Sequence, residues 1–252
     1  MRAFVERELK LDFGEGFALP ELPGEPLEPR LFTSTYYDTS GRSLAGAGIT
    51  LRRRVENGVS CWQLKLPRGG NARAELEAPG GPVGPPAALA ELLSAHLRHS
   101  RAEPVATLRT RRAGVRVVED GRTIADVTLD SVAVLDAGRS AGGFAEIEVE
   151  LVEGDDGDLE RLGRTLRKAG AKSSDGVPKV SRVLPPPRRL RARKHASAVE
   201  LLRVMLADQL RELLRHDPGV RLGDDPEDVH RHRVATRRSR ALIRATRPML
   251  GD

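Results

Sequence analysis

What the 252-residue chain lacks narrows its possibilities before any motif does. It has a single cysteine, Cys61, which excludes an intramolecular disulfide and a cysteine-built zinc site. Aromatic residues make up only 3%, so a core must be built from Leu, Val, Ala and Ile. The same scarcity leaves few side chains to stack on nucleic-acid bases, and nucleic acid is the least favoured partner. No apolar run approaches the roughly 20 residues that a membrane-spanning helix needs. Residues 1–13 alternate charged with apolar positions and contain no hydrophobic stretch of the signal-peptide kind. These absences lead to the expectation of a cytoplasmic protein with no membrane partner.

What is present is charge, unevenly placed. The net charge is +6, and residues 185–252 hold 16 Lys/Arg against 9 Asp/Glu, whereas residues 1–184 are nearly balanced. A basic tail suits an anionic partner such as a phosphate polymer. Pro185-Pro186-Pro187 fits neither a helix interior nor a central strand. The sequence therefore predicts a domain over 1–184, a Pro/Arg-rich linker over 185–194 and a second unit over 195–252.

Up to residue 184 the hydrophobic period is mostly two. In residues 4–11, Val5, Leu9 and Leu11 share one face and Glu6, Glu8 and Lys10 the other, with Arg7 an exception on the apolar side. Arg52 and Arg54 oppose Leu51 and Val55; Gln63 and Lys65 oppose Trp62, Leu64 and Leu66. Arg73, Glu75 and Glu77 alternate with Ala74 and Leu76, and Arg109 and Arg111 share a face. Asp126, Thr128 and Asp130 oppose Val127 and Leu129, and Glu146, Glu148 and Glu150 oppose Ile147, Val149 and Leu151. Asn57-Gly58 and Asp120-Gly121 read as hairpin turns.

A solvated sheet surface would explain any one of these seven segments. It does not explain why several set like charges at i and i+2, where neighbours repel unless something neutralises them. Paired carboxylates suit divalent cations, and paired Arg or Lys suit phosphate oxygens. Together they describe a site for a metal-chelated polyphosphate.

Helical spacing predicts helices over 87–99 and over 159–169, the latter with Asp158 as N-cap and Gly170 just past its end. Residues 14–29 read as loop or a short helix. From Ala196 the period is helical: Val199, Leu202, Leu206, Leu210, Leu213 and Leu214 form one stripe, which Asp217-Pro218-Gly219 is expected to end. Pro226 then falls in the first turn of the next helix, where His230, Arg233, Arg237, Arg240 and Arg244 share a face.

Glu6-Arg7-Glu8-Leu9-Lys10 matches the ExExK signature of the CYTH superfamily, the triphosphate tunnel metalloenzymes. The resemblance continues in order through Tyr36-Tyr37-Asp38-Thr39, Leu51-Arg52-Arg53-Arg54, Trp62-Gln63-Leu64-Lys65-Leu66-Pro67, Arg73-Ala74-Glu75-Leu76-Glu77, residues 108–112, Leu129-Asp130, residues 146–150 and Pro178-Lys179. It implies an α+β fold, an eight-stranded antiparallel closed barrel with a charged interior and flanking helices, followed by a short all-α segment. It implies Mg²⁺ or Mn²⁺ held by Glu6, Glu8, Glu146 and Glu148, with Asp130 at or beside the metal. Triphosphate would be gripped by Lys10, Arg52, Arg54, Lys65, Arg109, Arg111 and Lys179. Glu6, Glu8 and Lys10 are the candidate catalytic residues for metal-assisted hydrolysis of inorganic triphosphate or a small organic triphosphate.

Residues 229–240 resemble the start of a CHAD domain, a helical, histidine-bearing family associated with polyphosphate. That resemblance implies a polyphosphate site at His230, Arg233, Arg237 and Arg240. Two helices cannot supply a complete CHAD bundle, so the tail is expected to dock on the barrel or to self-associate. The competing readings are a class IV adenylyl cyclase, which shares the tunnel, and a polyphosphate-binding module without turnover.

Overall fold

Closure of the sheet follows from the pairing of its first strand. The computed structural model of the chain describes residues 1–68, 72–98 and 100–250. The long strands are β1 (Arg2–Asp12), β2 (Gly24–Asp38), β3 (Thr50–Glu56), β4 (Val59–Pro67), β5 (Ala72–Pro79), β6 (Glu103–Glu119), β7 (Arg122–Asp136) and β8 (Arg139–Leu151). They pair antiparallel in the order β5-β4-β3-β2-β6-β7-β8-β1, and β1 pairs with β5 to complete the circle. β1 does so by dividing its length: Arg2 to Arg7 face β5, and Glu8 to Asp12 face β8. The two-residue β9 (Lys172–Ser173) lies against the end of β1. The fold is the expected eight-stranded antiparallel barrel.

Helices cover the outside of the barrel. The outward faces are apolar: Leu11, Val127, Ile147 and Val149 pack under Leu159, Leu162 and Leu166 of α4 (Asp156–Lys168). Around the other side, Trp62, Leu64 and Leu76 pack under Leu44 of α1 (Ser43–Gly46) and Leu89 and Leu92 of α2 (Ala87–Leu92). Each fully buried Leu or Val contributes roughly 1.5–3 kcal/mol, whereas buried ion pairs are close to neutral against their desolvation cost. The outer apolar layer therefore holds the barrel together. Inside, an apolar cluster closes one end of the tunnel, where Tyr36, Leu108 and Val132 pack around Val180 of α5 (Lys179–Val183).

Four expectations need correction. Residues 24–29 belong to β2, whose inner face carries Phe32 and Tyr36 and so shows no simple apolar–charged alternation. The helix expected over 87–99 breaks at Leu93 into α2 and α3 (Ser94–Leu97), Arg98 takes φ +46°, and His99 lies outside the described residues. α4 begins two residues earlier than Asp158: Asp155 is its N-cap, and Asp158 returns a hydrogen bond to the Asp155 N–H as the second half of a capping box. Asp217-Pro218-Gly219 does not end its helix, because α6 (Ala198–Leu222) runs on to a Gly223 cap at φ +73°.

The last correction explains how the tail sits. Pro218 has no N–H to give the Leu214 carbonyl four residues back. That carbonyl instead accepts from His96 Nε2 of α3, at 2.8 Å, so the helix continues with help from the barrel domain. Nearby, Arg68, just after β4, holds both Asp224 oxygens at 2.7 and 2.8 Å and also pairs with Asp228, which starts α7 (Pro226–Leu250) and accepts from His216 Nδ1 at 2.7 Å. A Cβ on Gly219 would overlap the Asp228 carboxylate, so this close approach requires glycine. The tail docks on the barrel, while Val199, Leu201 and Met205 on α6 stay exposed. No helix of the described residues is long and apolar enough to cross a membrane.

Candidate active site in the barrel

The charged faces of the strands meet in a single cavity of 420 Å³ inside the barrel. Barrel order sorts them into two arcs. β5, β1 and β8 are contiguous and contribute Glu75, Glu77, Glu6, Glu8, Glu148 and Glu150, with Lys10 and Arg73 the exceptions. β3, β2 and β6 form the opposite arc and contribute Arg52, Arg54, Arg30 and Arg112. β4 and β7, at the two seams, supply Lys65 and Asp126.

The deepest charges neutralise one another. Asp130, Glu146 and Glu148 bring carboxylate oxygens within 4.8 Å of one another, and Lys179 Nζ reaches all three at 3.0, 2.5 and 2.6 Å. Arg112 adds a two-pronged pair to Asp130 at 2.6 and 2.7 Å and a further bond to Glu148. Lys10 also bonds Glu148. Burial works against the Lys10 ammonium, but Glu148, Glu8 and Glu146 outweigh it and hold its pKa above the usual lysine range. Burial likewise opposes the Glu148 carboxylate, and Lys10, Lys179 and Arg112 prevail to hold it well below the usual carboxylate range.

Farther out, compensation is incomplete. Among the described residues Arg52 forms no ion pair; its bonds go to neutral groups, Gln63 Oε1 at 2.7 Å and Tyr36 Oη at 3.3 Å. Arg54 stacks over Phe32 at 3.6 Å and pairs with Glu56 at the rim at 2.7 Å. Burial, then repulsion from Arg52, lowers its pKa to about 10. On the facing arc, the cations nearest Glu8 are Arg73 and Lys10 at 3.7 and 3.8 Å, and Glu150 forms no ion pair among the described residues. Burial raises the Glu150 pKa. Lys65 bonds Glu6 and lies 2.7 Å from Glu75. Burial, with a hydrogen bond given to Glu75 behind it, pushes Glu6 up to about 8, so the pair holds one proton near neutrality, on Glu6.

The structure brings Glu6, Glu8, Lys10, Arg52, Arg54, Lys65, Glu148 and Lys179 to this cavity. Asp130 and Glu146 lie behind it, 0% exposed and engaged by Lys179, with Arg182 on Glu146 at 3.1 Å. It does not bring Arg109 and Arg111 there; both are exposed on the outer face of β6, and Arg112 takes the inward place. β6 alternates without interruption, with Arg112 and Arg116 on the tunnel side and Val117 in the outer core, so Arg109 and Arg111 point outward. The extra residue of the register shift, Ile124, lies on β7 and brings Asp130 opposite Arg112. Phe32, the ring under two guanidiniums, had no charge pattern to reveal it. On α7, His230, Arg233, Arg237 and Arg240 are exposed, and the three arginines share a shallow groove with Arg244.

The donors suit a hard divalent cation. The facing arc offers only carboxylate oxygens as ligands, the type Mg²⁺ and Mn²⁺ take, and Glu8 has capacity to spare because its nearest cations, Arg73 and Lys10, stand at 3.7 and 3.8 Å, beyond hydrogen-bond distance.

Comparison with known proteins shows a family for each part of the chain. The CYTH domain family model matches residues 5–182, and the CHAD domain model matches residues 204–252. An uncharacterised protein of Mycobacterium tuberculosis H37Rv, Rv2226, is 31% identical over 274 aligned positions that cover 98% of this chain and 53% of that protein. The chain thus spans about half the length of the curated relatives it matches. Among solved structures, the PH1819 protein of Pyrococcus horikoshii is 21% identical with TM-score 0.45, covering 71% of this chain and 98% of that one. HpAC1 of Hippeastrum, a protein with a dominant triphosphatase activity, is 16% identical with TM-score 0.44, covering 73% of this chain and 97% of that one. With its family model matched from the first strand through α5, the chain belongs to the CYTH domain family.

Proposed function

We propose that the barrel, within residues 1–184, is a metal-dependent triphosphatase acting on inorganic triphosphate or a small organic triphosphate. One observation carries this reading: an Arg52/Arg54 wall without enough carboxylates faces a Glu8/Glu150 wall without enough cations across one enclosed cavity. A phosphate chain satisfies the first wall and a divalent cation the second.

Glu6, Glu8 and Glu148 would hold the metal, while Asp130 and Glu146 anchor Lys179, Arg112 and Arg182 rather than bind it. A bound Mg²⁺ or Mn²⁺ supplies positive charge to the phosphate oxygens and eases loss of a proton from water. Arg52, Arg54 and Arg112 orient the chain and oppose the charge that grows on the leaving phosphate as the anhydride P–O bond breaks. Lys65 neutralises Glu6 and Glu75, and Lys10 neutralises Glu146 and Glu148, within the acidic arc. Water enters at the terminal phosphorus, the leaving pyrophosphate takes the bond's electrons, and one proton is released.

Release of orthophosphate and of pyrophosphate should be measured over triphosphate, thiamine triphosphate and ATP, with Mg²⁺, Mn²⁺ or a chelator. Orthophosphate release from triphosphate that stops on chelation supports the proposal. Pyrophosphate release from ATP together with a cyclic product would replace it with the cyclase, and binding without release with the polyphosphate module. A long polyphosphate on His230, Arg233, Arg237 and Arg240 remains a separate proposal for the tail.

A further inference from the structure

A second cavity, of 460 Å³, lies outside the tunnel between the barrel, the 186–189 linker and α6. Arg188, Arg189, Arg211 and Arg215 converge on it, and Glu212 is the one carboxylate among its described lining residues. Asp208 pairs with Arg211 at 2.5 Å. Among the described residues Arg188, Arg189 and Arg215 form no ion pair.

The two walls are held in position. Arg42 Nη1 donates to the Pro185 carbonyl at 2.6 Å, and Pro187 sits over Gly46, so the linker is pinned to the barrel at both ends of its proline run. Three consecutive prolines further restrict the backbone that presents Arg188 and Arg189. Arg211 and Arg215 stand one helical turn apart on α6. The His96 bond to the Leu214 carbonyl fixes that turn against the barrel. Guanidiniums brought together without counter-charges repel unless an anion joins them, and planar forks match phosphate oxygens two at a time.

We propose that this cleft is a second site for a phosphate-type polyanion, separate from the tunnel. Thr50 and Pro178 line both cavities, so the cleft backs onto the tunnel's closed end. Two sources share this chemistry: pyrophosphate or orthophosphate produced by the barrel, and a long polyphosphate chain arriving from outside. The inference does not depend on turnover in the tunnel.

The test is equilibrium titration of the full chain with pyrophosphate and, separately, with long-chain polyphosphate, all in an Arg52→Ala background that weakens the tunnel. Arg188→Ala/Arg189→Ala should weaken binding by about tenfold or more, as loss of charge-assisted bonds implies. Arg211→Ala/Arg215→Ala, on the other wall, should do the same, and thermal unfolding should show both variants folded. Arg237→Ala/Arg240→Ala on α7 should leave cleft binding of pyrophosphate unchanged. Loss for both probes identifies a product site; loss for polyphosphate alone identifies a chain site. If both cleft variants keep parental affinity for both probes, the cleft is no anion site, whatever the tunnel does. Failure of the tunnel reading would show elsewhere, as triphosphate affinity that Arg52→Ala does not change.

Discussion

In the barrel, apolar side chains face outward beneath helices and charges face inward, whereas α6 and α7 turn most of their charges to solvent, Asp228 excepted, and leave Val199, Leu201 and Met205 exposed. The same residue types therefore do different work. Inside the barrel, Arg52 and Glu8 are shielded from water and salt, so a missing counter-charge is costly and a matching ligand binds strongly. On α7, the arginines are solvated and screened within about 8 Å at physiological salt. A single solvated helix face such as that of α7 is a weak specifier; an ionic face in a closed barrel is a site.

The sharpest way to break this comparison is inside the barrel itself. Arg112→Ala leaves Asp130 and Glu148 buried with fewer partners and should cost roughly 3–5 kcal/mol of stability, read by denaturant unfolding. Arg109→Ala and Arg111→Ala, on the same strand but exposed, should leave stability and activity nearly unchanged. Arg52→Ala abandons no carboxylate; it should weaken triphosphate binding by about 100-fold while leaving ligand-free stability intact or improved through relief of repulsion from Arg54. A large loss of ligand-free stability would instead make Arg52 a structural residue.

The docking of the tail can be sharpened next. His96→Ala leaves the Leu214 carbonyl without a partner and should cost about 1–3 kcal/mol, seen as faster amide exchange along α6 with triphosphate binding retained. In a Pro218→Ala background, the restored N–H satisfies that carbonyl, and the cost of His96→Ala should shrink. Burial at His96 lowers its pKa, so its neutral-state contribution is full above about pH 6.5 and is lost as pH falls through the folded value. Undocking should therefore grow on the acid side.

A pH-linked effect concerns Glu6. Its folded pKa, raised to about 8, exceeds the ordinary 4.5. The contribution of its protonated form is thus fully present below pH 4.5 and is lost as pH rises through about 8. In chelator, the parent should lose stability relative to Glu6→Gln across that window. Parallel curves for the two proteins would show that Glu6 is ionised throughout.

Much of this was legible in the residues. Period two marked β1, β3, β4, β5, β7 and β8 and their inward residues, with like charges at i and i+2 in β1, β3 and β8, because alternation is a property of the strand alone. β2 escaped because aromatic rings occupy its inner face, and only the family resemblance called for an eighth strand. Arg112 escaped because the run Arg111-Arg112 offers an arginine to either face of β6, and only closure of the barrel decides which face is inward. The continuation of α6 through Pro218 escaped for a related reason: the hydrogen bond that replaces the missing one comes from His96, 118 residues away. Local pattern reads local geometry; partners supplied by distant chain do not register in it.

The most direct test of the charged tunnel lies in two adjacent residues. Glu8 faces the cavity and Arg7 is exposed on the outer wall, so Glu8→Gln and Arg7→Ala differ by one position and one face. Orthophosphate release from triphosphate with Mg²⁺ or Mn²⁺ should fall by about 100-fold or more in Glu8→Gln and stay at the parental rate in Arg7→Ala. Parental rates in both variants would contradict a catalytic site inside the barrel.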